Sequence, residues 1–234
     1  MAASTLRLLV GLGNPGPDYE RTRHNAGFWF VEALARAQGA HFRAEKRWQG
    51  DLARVRIADR ELELFKPMTW MNRSGQAIRA VADFYKIAPA DVLVAHDEID
   101  LPVGAVRLKF GGGAGGHNGL RDTIAHIGDE FWRLRLGVGH PRDKAQESGP
   151  MHEEVMDHVL RRAPREEEVA ILRCIAEAVE LMPRVIEHGP QKAMNQLHRK
   201  KADEAPKTGE AARAGEAQKS GEAQKPYTDK PKRN

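Results

Sequence analysis

Residues 6–16 read LRLLVGLGNPG, a short apolar run followed at once by a glycine-rich turn. The run Leu6–Val10 has the length and aliphatic content of a buried β-strand, and the turn after it carries Asn14. Along the chain, similar β-rich runs alternate with longer helical patterns, which is typical of a sheet covered by helices on both faces. The sequence therefore predicts an α/β fold with a single domain.

The other elements follow from the same reading. Further strands are predicted at Asp51–Ile57, Glu61–Phe65, Val92–Ala95, Ala105–Phe110 and Trp132–Val138. Helices are predicted at Ala26–Gln38, Gly75–Tyr85 and Asn118–Ile127, with a long helix after Pro164 and with Ser74 as the N-cap of the second. The first two of these strands are joined by only three residues, which indicates a hairpin. The predicted sheet is therefore twisted and mixed.

Charge divides the chain into a body and a tail. The totals are 37 Lys/Arg and 33 Asp/Glu, and residues 199–234 account for ten and six of them, so the whole excess of +4 lies in this segment. The segment contains no Val, Ile, Leu, Met, Phe or Trp. Because such a composition cannot bury enough apolar surface to offset the entropy of ordering, we expect a disordered basic tail at 199–234 after a domain at 1–198.

Several classes of protein are disfavoured by composition. Cys174 is the only cysteine, so disulfides and cysteine-based zinc sites are excluded. No apolar run approaches the roughly 18 residues of a membrane span, and the amino terminus lacks the long apolar region of a cleavable signal. These features predict a cytoplasmic protein with no membrane partner.

The glycine-rich turn also matches a dinucleotide-binding fingerprint. Gly11–Gly16 follows a strand in the pattern GxGxxG, but this pattern binds a pyrophosphate only when a helix begins within it. Here the polar run Asp18–Asn25 intervenes, and the helical pattern begins near Ala26. A nucleotide-dependent oxidoreductase therefore remains a weaker alternative. The favoured interpretation is a turn that exposes Asn14 at the carboxyl edge of the sheet.

A histidine and a carboxylate follow two of the predicted strands. His24 lies in the segment YERTRHNAG, just ahead of the first helix, in a loop that also carries Arg21 and Arg23. A lone loop histidine is usually a surface residue. However, the strand Val92–Ala95 ends in a segment that includes Asp97, again at a carboxyl edge. A carboxylate there can orient an imidazole that acts as a base.

Two loops are compatible with ligand binding. Residues 66–75, KPMTWMNRSG, place large apolar side chains beside an asparagine, which indicates either a groove or a packed loop. Residues 111–119, GGGAGGHNG, hold six glycines, so backbone amides there can approach a ligand and the following helix start offers a phosphate site. A flexible hinge is the alternative. No Gly-Lys-Ser/Thr follows, so this is not a Walker loop.

Other catalytic chemistries find little support. The sequence lacks a GxSxG elbow and an HExxH helix. His24, His96, Asp97 and His117 could converge in space, but their spacing favours no metal. Without a credible serine or cysteine nucleophile, water activated by a general base is the simplest mechanism. We therefore expect an enzyme without cofactor or metal.

Taken together, these segments resemble the bacterial peptidyl-tRNA hydrolase family. The matching stretches, in the family's order, are VGLGNPGPDYERTRHNAG, KPMTWMNRSG, HDEIDLPVG, RLKFGGGAGGHNGL and RLRLGVGHP, and they cover most of residues 6–141. The resemblance implies a monomeric α/β enzyme that cleaves the ester between a stalled peptide and the terminal ribose of its tRNA. Its partner would be peptidyl-tRNA, and the reaction would need no metal.

The resemblance also implies roles for individual residues. His24 matches the general base, Asp97 the carboxylate that stabilises it, and Asn14 an asparagine that recognises the blocked peptide end. Positions that match residues holding the tRNA 3′ end and the peptide are Tyr19, Trp70, Met71, Asn72, His117 and Asn118. Positions that match contacts to tRNA phosphates are Arg107, Lys109 and Arg135. The chain departs from the family at Trp70, where a smaller aromatic is usual, and at Arg142–His152, which is longer than the usual link.

An alternative from another class is a tRNA-binding or splicing-type module that keeps the fold without catalysis. It is disfavoured because the base, its carboxylate and the asparagines occur together. Hydrolysis of a peptidyl-tRNA in a single turnover separates the two hypotheses.

Overall fold

A mixed seven-stranded sheet forms the centre of the protein, with the order β2-β3-β4-β1-β5-β7-β6. The computed structural model describes residues 5–144 and 151–195. The predicted tail and the centre of the stretch 142–152 lie outside the described residues. The four inner strands β4, β1, β5 and β7 are parallel, and the outer strands pair antiparallel.

The strands run as follows: β1 Leu8–Gly11, β2 Arg43–Glu45, β3 Gly50–Ile57, β4 Arg60–Pro67, β5 Val92–Glu98, β6 Val106–Phe110 and β7 Trp132–Gly137. The helices are α1 Ala26–Ala37, α2 Ser74–Tyr85, α3 Asn118–Ile127, α4 Met151–Leu160 and α5 Arg165–His188. The mixed α/β fold predicted from the sequence is confirmed, and so is the hairpin, which is formed by β3 and β4. Strand β2 and helix α4 were not predicted.

Helices cover both faces of the sheet, and the alternation of side chains along β1 shows how. Leu9 lies in an apolar cluster with residues of α1 and α5, whereas Leu8 and Val10 lie in a second cluster with residues of α2 and α3. Successive side chains of a strand point to opposite faces, so an all-aliphatic strand is buried on both sides. No described helix has both the length and the apolar character that crossing a membrane requires.

The predicted cap of α2 was wrong. Ser74 is the first residue of the helix, and its hydroxyl donates a hydrogen bond to the carbonyl oxygen of Met71, at 2.9 Å, instead of accepting one from a first-turn amide. The reason is a 3₁₀ turn over Met71–Arg73 that leads directly into the helix.

Close packing at Gly27 brings the start of α1 against the sheet. A β-carbon at Gly27 would lie 2.4 Å from the carbonyl oxygen of Ala95 and 2.4 Å from the amide nitrogen of Leu12, so only glycine permits this approach. No helix begins within Gly11–Gly16, and α1 begins only at Ala26. The turn therefore lacks the geometry of a dinucleotide site. Instead, the packing sets the residues just before α1 beside the carboxyl end of β5.

Candidate active site

A groove of about 590 Å³ lies where β1 and β5 end. In open α/β sheets, ligands bind at the carboxyl ends of the strands. The groove brings together most of the residues that the sequence predicts for the site, namely Asn14, His24, Trp70, Met71, Asn72, Asp97, His117 and Asn118. Helix α4 adds an apolar wall made of Val155, Met156, Val159 and Leu160.

His24 and Asp97 form a direct pair inside this groove. The Nδ1 atom of His24 lies 2.9 Å from Oδ1 and 3.0 Å from Oδ2 of Asp97. A carboxylate can only accept a hydrogen bond, so Nδ1 carries the proton and Nε2 keeps its lone pair. Nε2 has no hydrogen-bond partner among the described residues, while the ring lines the groove. The pair therefore leaves a basic nitrogen free to meet a ligand.

Electrostatics favour an ionised Asp97 and strengthen His24 as a base. Burial disfavours the charged form of His24, but the negative charge of Asp97 and the hydrogen bond between them outweigh it, so the pKa of His24 is raised above 6.5. Burial would also raise the pKa of Asp97, but the histidines that it faces hold this pKa well below its ordinary range. Asp97 is therefore an anion at neutral pH, and it stabilises a proton on His24.

His117 is a second neighbour of the same carboxylate. Its Nε2 lies 3.0 Å from Oδ1 of Asp97. Its Nδ1 accepts hydrogen bonds from the backbone amides of Gly119 and Leu120, at 3.1 and 3.2 Å, and so caps α3. The predicted phosphate site at this helix start is therefore partly occupied by the protein's own side chain. Both ring nitrogens of His117 are engaged within the protein.

The same three side chains resemble a set of metal ligands by distance alone. One ligand atom each from His24, Asp97 and His117 lies within 4.8 Å of the others. Metal binding through Nε2 of His117 would require its proton to move to Nδ1, where two backbone N–H groups already point. The donor set in this arrangement does not fit a metal.

Asn14 is held in one orientation by its neighbours. Its Oδ1 accepts a hydrogen bond from the amide of Met71 at 2.8 Å. Asn25 fixes its backbone from the other side, because its amide side chain pairs with both the N–H and the C=O of Asn14, each at 2.9 Å. The Nδ2 of Asn14 therefore remains as a donor beside the groove. Asn25 was not predicted, because an amide that pairs with another residue's backbone leaves no sequence motif.

The two other predicted asparagines are exposed. Asn72 lies in the 3₁₀ turn before α2, and Asn118 is the first residue of α3. The Oδ1 of Asn118 accepts a hydrogen bond from Arg121 at 3.0 Å, which leaves its NH₂ to donate. Tyr19 does not line the groove directly, but its ring packs edge to face against that of Trp70, with the ring centroids 5.5 Å apart. Trp70 is 53% exposed and presents an aromatic surface at the groove.

The predicted basic residues lie on β6 and β7, beside a second hollow of about 280 Å³. Lys109 and Arg135 line this hollow, and Arg107 does not. Arg135 is also bound by Glu98 at 2.8 Å. Arg133 was not predicted: it is 2% exposed, and its guanidinium donates to the carbonyl oxygens of Gly112 and Gly113, which fixes the glycine-rich loop.

Arg23 connects the site to α4. It lies beside His24 in the segment that the sequence predicts as a loop, it is 3% exposed, and it donates to the carbonyl oxygen of His158 at 2.9 Å and to Glu167 at 2.8 Å. Its side chain thus holds the carboxyl end of α4 and the first turn of α5 against the residue next to His24.

Comparison with known proteins gives a consistent result. The family model for peptidyl-tRNA hydrolase matches residues 8–205. A peptidyl-tRNA hydrolase from Cupriavidus necator is 52% identical over 194 residues, which is 82% of this chain and 98% of that protein. The crystal structure of peptidyl-tRNA hydrolase from Acinetobacter baumannii superposes with a TM-score of 0.77 at 44% identity, covering 84% of this chain and 96% of that one. A crystal structure of a peptidyl-tRNA hydrolase in complex with N-propanol matches equally well.

Fold, groove and relatives agree on the class of protein. The chain is a hydrolase with a mixed α/β sheet that acts on ester bonds. It belongs to the peptidyl-tRNA hydrolase family.

Proposed function

We propose that this protein hydrolyses the ester between a peptide and the 3′ end of tRNA, with His24 as the general base and Asp97 as its partner. The observation that carries the proposal is the pairing of His24 Nδ1 with both carboxylate oxygens of Asp97, at 2.9 and 3.0 Å, which leaves Nε2 free beside the groove. The product tRNA can then be recycled. The proposal uses groups from one chain, so a monomer suffices.

The reaction transfers one proton from water to the leaving ribose oxygen by way of His24. Nε2 of His24 takes a proton from water as the water oxygen attacks the ester carbonyl carbon. The imidazolium that forms is stabilised by Asp97, and it returns the proton to the ribose oxygen when the carbon–oxygen bond breaks. General-base help of this kind contributes roughly 10²–10⁴-fold. An ester is activated enough that no metal step is required.

Asparagine donors select for a blocked peptide end. The Oδ1 of Asn14 is bound to the amide of Met71, so its Nδ2 offers a donor to a substrate carbonyl. Asn72 and Asn118 add exposed amides at the same groove. A free aminoacyl ester lacks the peptide carbonyl that these donors address. A buried polar group left without its partner disfavours the wrong substrate strongly.

The two ends of the substrate suit different surfaces. The apolar wall of α4, with Met156 48% and Leu160 37% exposed, suits peptide side chains. Tyr19 and Trp70 offer ring faces on which terminal bases stack, and such stacking is tolerant of sequence. Arg107, Lys109 and Arg135 supply attraction to phosphates that does not read bases. This combination suits an enzyme that serves all tRNAs.

The direct test is the release of tRNA from an N-acetylated aminoacyl-tRNA and from the same aminoacyl-tRNA without the acetyl group, each with and without a chelator. We expect rapid release from the acetylated substrate only, and no effect of the chelator. Equal rates for the two substrates would contradict the selective role of the asparagines. Binding of tRNA without any single-turnover release would favour a binding module that has lost catalysis.

A further inference from the structure

We propose that His117 is a positioning residue that holds Asp97 for His24, rather than a contact to the substrate. The inference rests on the proposed function of the pair, and it starts from the hydrogen bonds of the His117 ring. Nδ1 accepts from Gly119 and Leu120, and Nε2 lies 3.0 Å from Oδ1 of Asp97. The side chain of His117 is 8% exposed, so little of the ring is left for a ligand.

The backbone fixes the tautomer of His117. An amide N–H can only donate, so the Nδ1 that faces two of them must carry a lone pair. A neutral ring with an unprotonated Nδ1 carries its proton on Nε2, which is the atom that faces Asp97. A proton on Nδ1 would break both bonds that cap α3. His117 is therefore a neutral donor with one orientation.

This donor places the carboxylate without adding a charge. Asp97 Oδ1 lies 2.9 Å from Nδ1 of His24 and 3.0 Å from Nε2 of His117, so the two rings hold one oxygen between them. The titratable groups that face His117 are Asp97 and His96 on β5 and His24 before α1. Because His117 stays neutral, the positive charge that forms in the reaction belongs to His24 alone.

The cap also ties the base to the substrate-holding helix. Asn118, which lines the groove, directly follows His117 and begins α3. One ring therefore sets both the plane of the Asp97 carboxylate and the start of the helix that carries Asn118. Sequence similarity alone assigns His117 to the substrate, whereas its hydrogen bonds assign it to Asp97.

Nuclear magnetic resonance of the full-length protein with ¹⁵N-labelled histidine tests the tautomer directly. The His117 ring signals are identified by their loss in His117→Asn. At neutral pH we expect a protonated Nε2 and an unprotonated Nδ1. A proton on Nδ1, or on both nitrogens, would overturn the proposal. This result does not depend on any substrate, so it stands or falls separately from the proposed function.

Two substitutions separate the two roles of the His117 ring, the cap of α3 and the bond to Asp97, in hydrolysis of N-acetyl-aminoacyl-tRNA. His117→Asn keeps a good helix cap but removes the donor to Asp97, and His117→Gln keeps a donor at the reach of Nε2 but weakens the cap. We expect His117→Asn to lower kcat by up to about 100-fold, as for a displaced reacting group, with KM changed less than about twofold. The acidic limb of the pH–rate profile of His117→Asn should move to higher pH, because the freed carboxylate then attracts the His24 proton more strongly. His117→Gln should keep the limb of the wild type.

The same substitution on the same helix but away from the groove, His126→Asn, is the control and should leave kcat and the limb unchanged. A rise in KM for His117→Asn with an unmoved limb would make His117 a substrate contact and overturn the proposal. So would a wild-type kcat in His117→Asn together with a loss of kcat in His117→Gln, because the cap would then be the only role.

Discussion

The Nδ1 atom of His24 lies almost equally far from the two carboxylate oxygens of Asp97, at 2.9 and 3.0 Å. In this position Nδ1 of His24 donates its hydrogen bond to the carboxylate, whichever oxygen is nearer. The opposite nitrogen of His24 is therefore fixed as the base.

Replacing the carboxylate tests the pair. In Asp97→Asn, His117 can still donate to the amide oxygen, so the introduced NH₂ is left facing His24. A neutral NH₂ there favours the tautomer with the proton on Nε2, which is not a base. We expect kcat to fall by about 10²–10⁴-fold.

The pH dependence gives a second measure of the same substitution. The wild-type acidic limb of kcat/KM should lie above pH 6.5, since Asp97 raises the pKa of His24. It should move to lower pH in Asp97→Asn, because the stabilising charge is lost. The raised pKa of His24 also adds to the free energy of unfolding of the wild type. This contribution is fully present below the pKa of histidine in the unfolded chain, and it disappears as pH rises through the higher pKa of His24 in the folded protein. An unchanged acidic limb would argue against the pairing.

Asn14→Asp separates the two atoms of the Asn14 amide. The new carboxylate can still accept the hydrogen bond from Met71, so the thermal midpoint should change little. The donor toward the groove becomes an anion that repels a substrate carbonyl. We expect kcat/KM to fall by roughly 10²-fold or more, as when a donor to a developing charge is lost. If kcat/KM is retained, Nδ2 does not contact the substrate.

Arg23→Lys tests the anchor of α4. Lysine keeps the charge but lacks the planar fork that reaches several acceptors, so the carbonyl oxygens at the end of α4 lose donors. We expect the free energy of unfolding to fall by about 1–3 kcal/mol, measured by urea titration. The matched control is Arg21→Lys: Arg21 is 61% exposed and pairs with Glu168, so its loss should cost less than about 1 kcal/mol. Equal effects of the two substitutions would contradict the anchoring role of Arg23.

Deletion of residues 199–234 tests the basic segment at the carboxyl end. This segment carries the whole formal excess of +4, and attraction to phosphates weakens as salt rises. We expect KM for tRNA substrates to rise at low salt and to converge with that of the full chain at high salt. A KM that is unchanged at low salt would leave the segment as a solubiliser only.

Local pattern was enough to predict six of the seven strands and the main helices, and the ordered motifs brought His24, Asp97 and Asn14 forward as candidates. The residues that sequence reasoning missed act through contacts distant along the chain. Asn25 pairs with a backbone segment eleven residues earlier, and Arg23 reaches carbonyl oxygens more than a hundred residues away. A charged residue in a predicted loop gives no sign that it will be buried.

The caps illustrate a different limit. Ser74 has the preferred type for an N-cap, but the 3₁₀ turn before it moves the helix start by one residue. His117 is not a preferred type, yet it caps α3 because its ring is already held beside Asp97. Cap preference is a local average, and here tertiary contacts decide both helix starts.

The most direct test of the central claim compares His24→Ala with the wild type in hydrolysis of N-acetyl-aminoacyl-tRNA, alongside tRNA binding under the same conditions. The account predicts that kcat falls by at least about 10²-fold while the dissociation constant for tRNA is nearly unchanged. Full activity of His24→Ala would show that another group activates the water, and it would contradict the account.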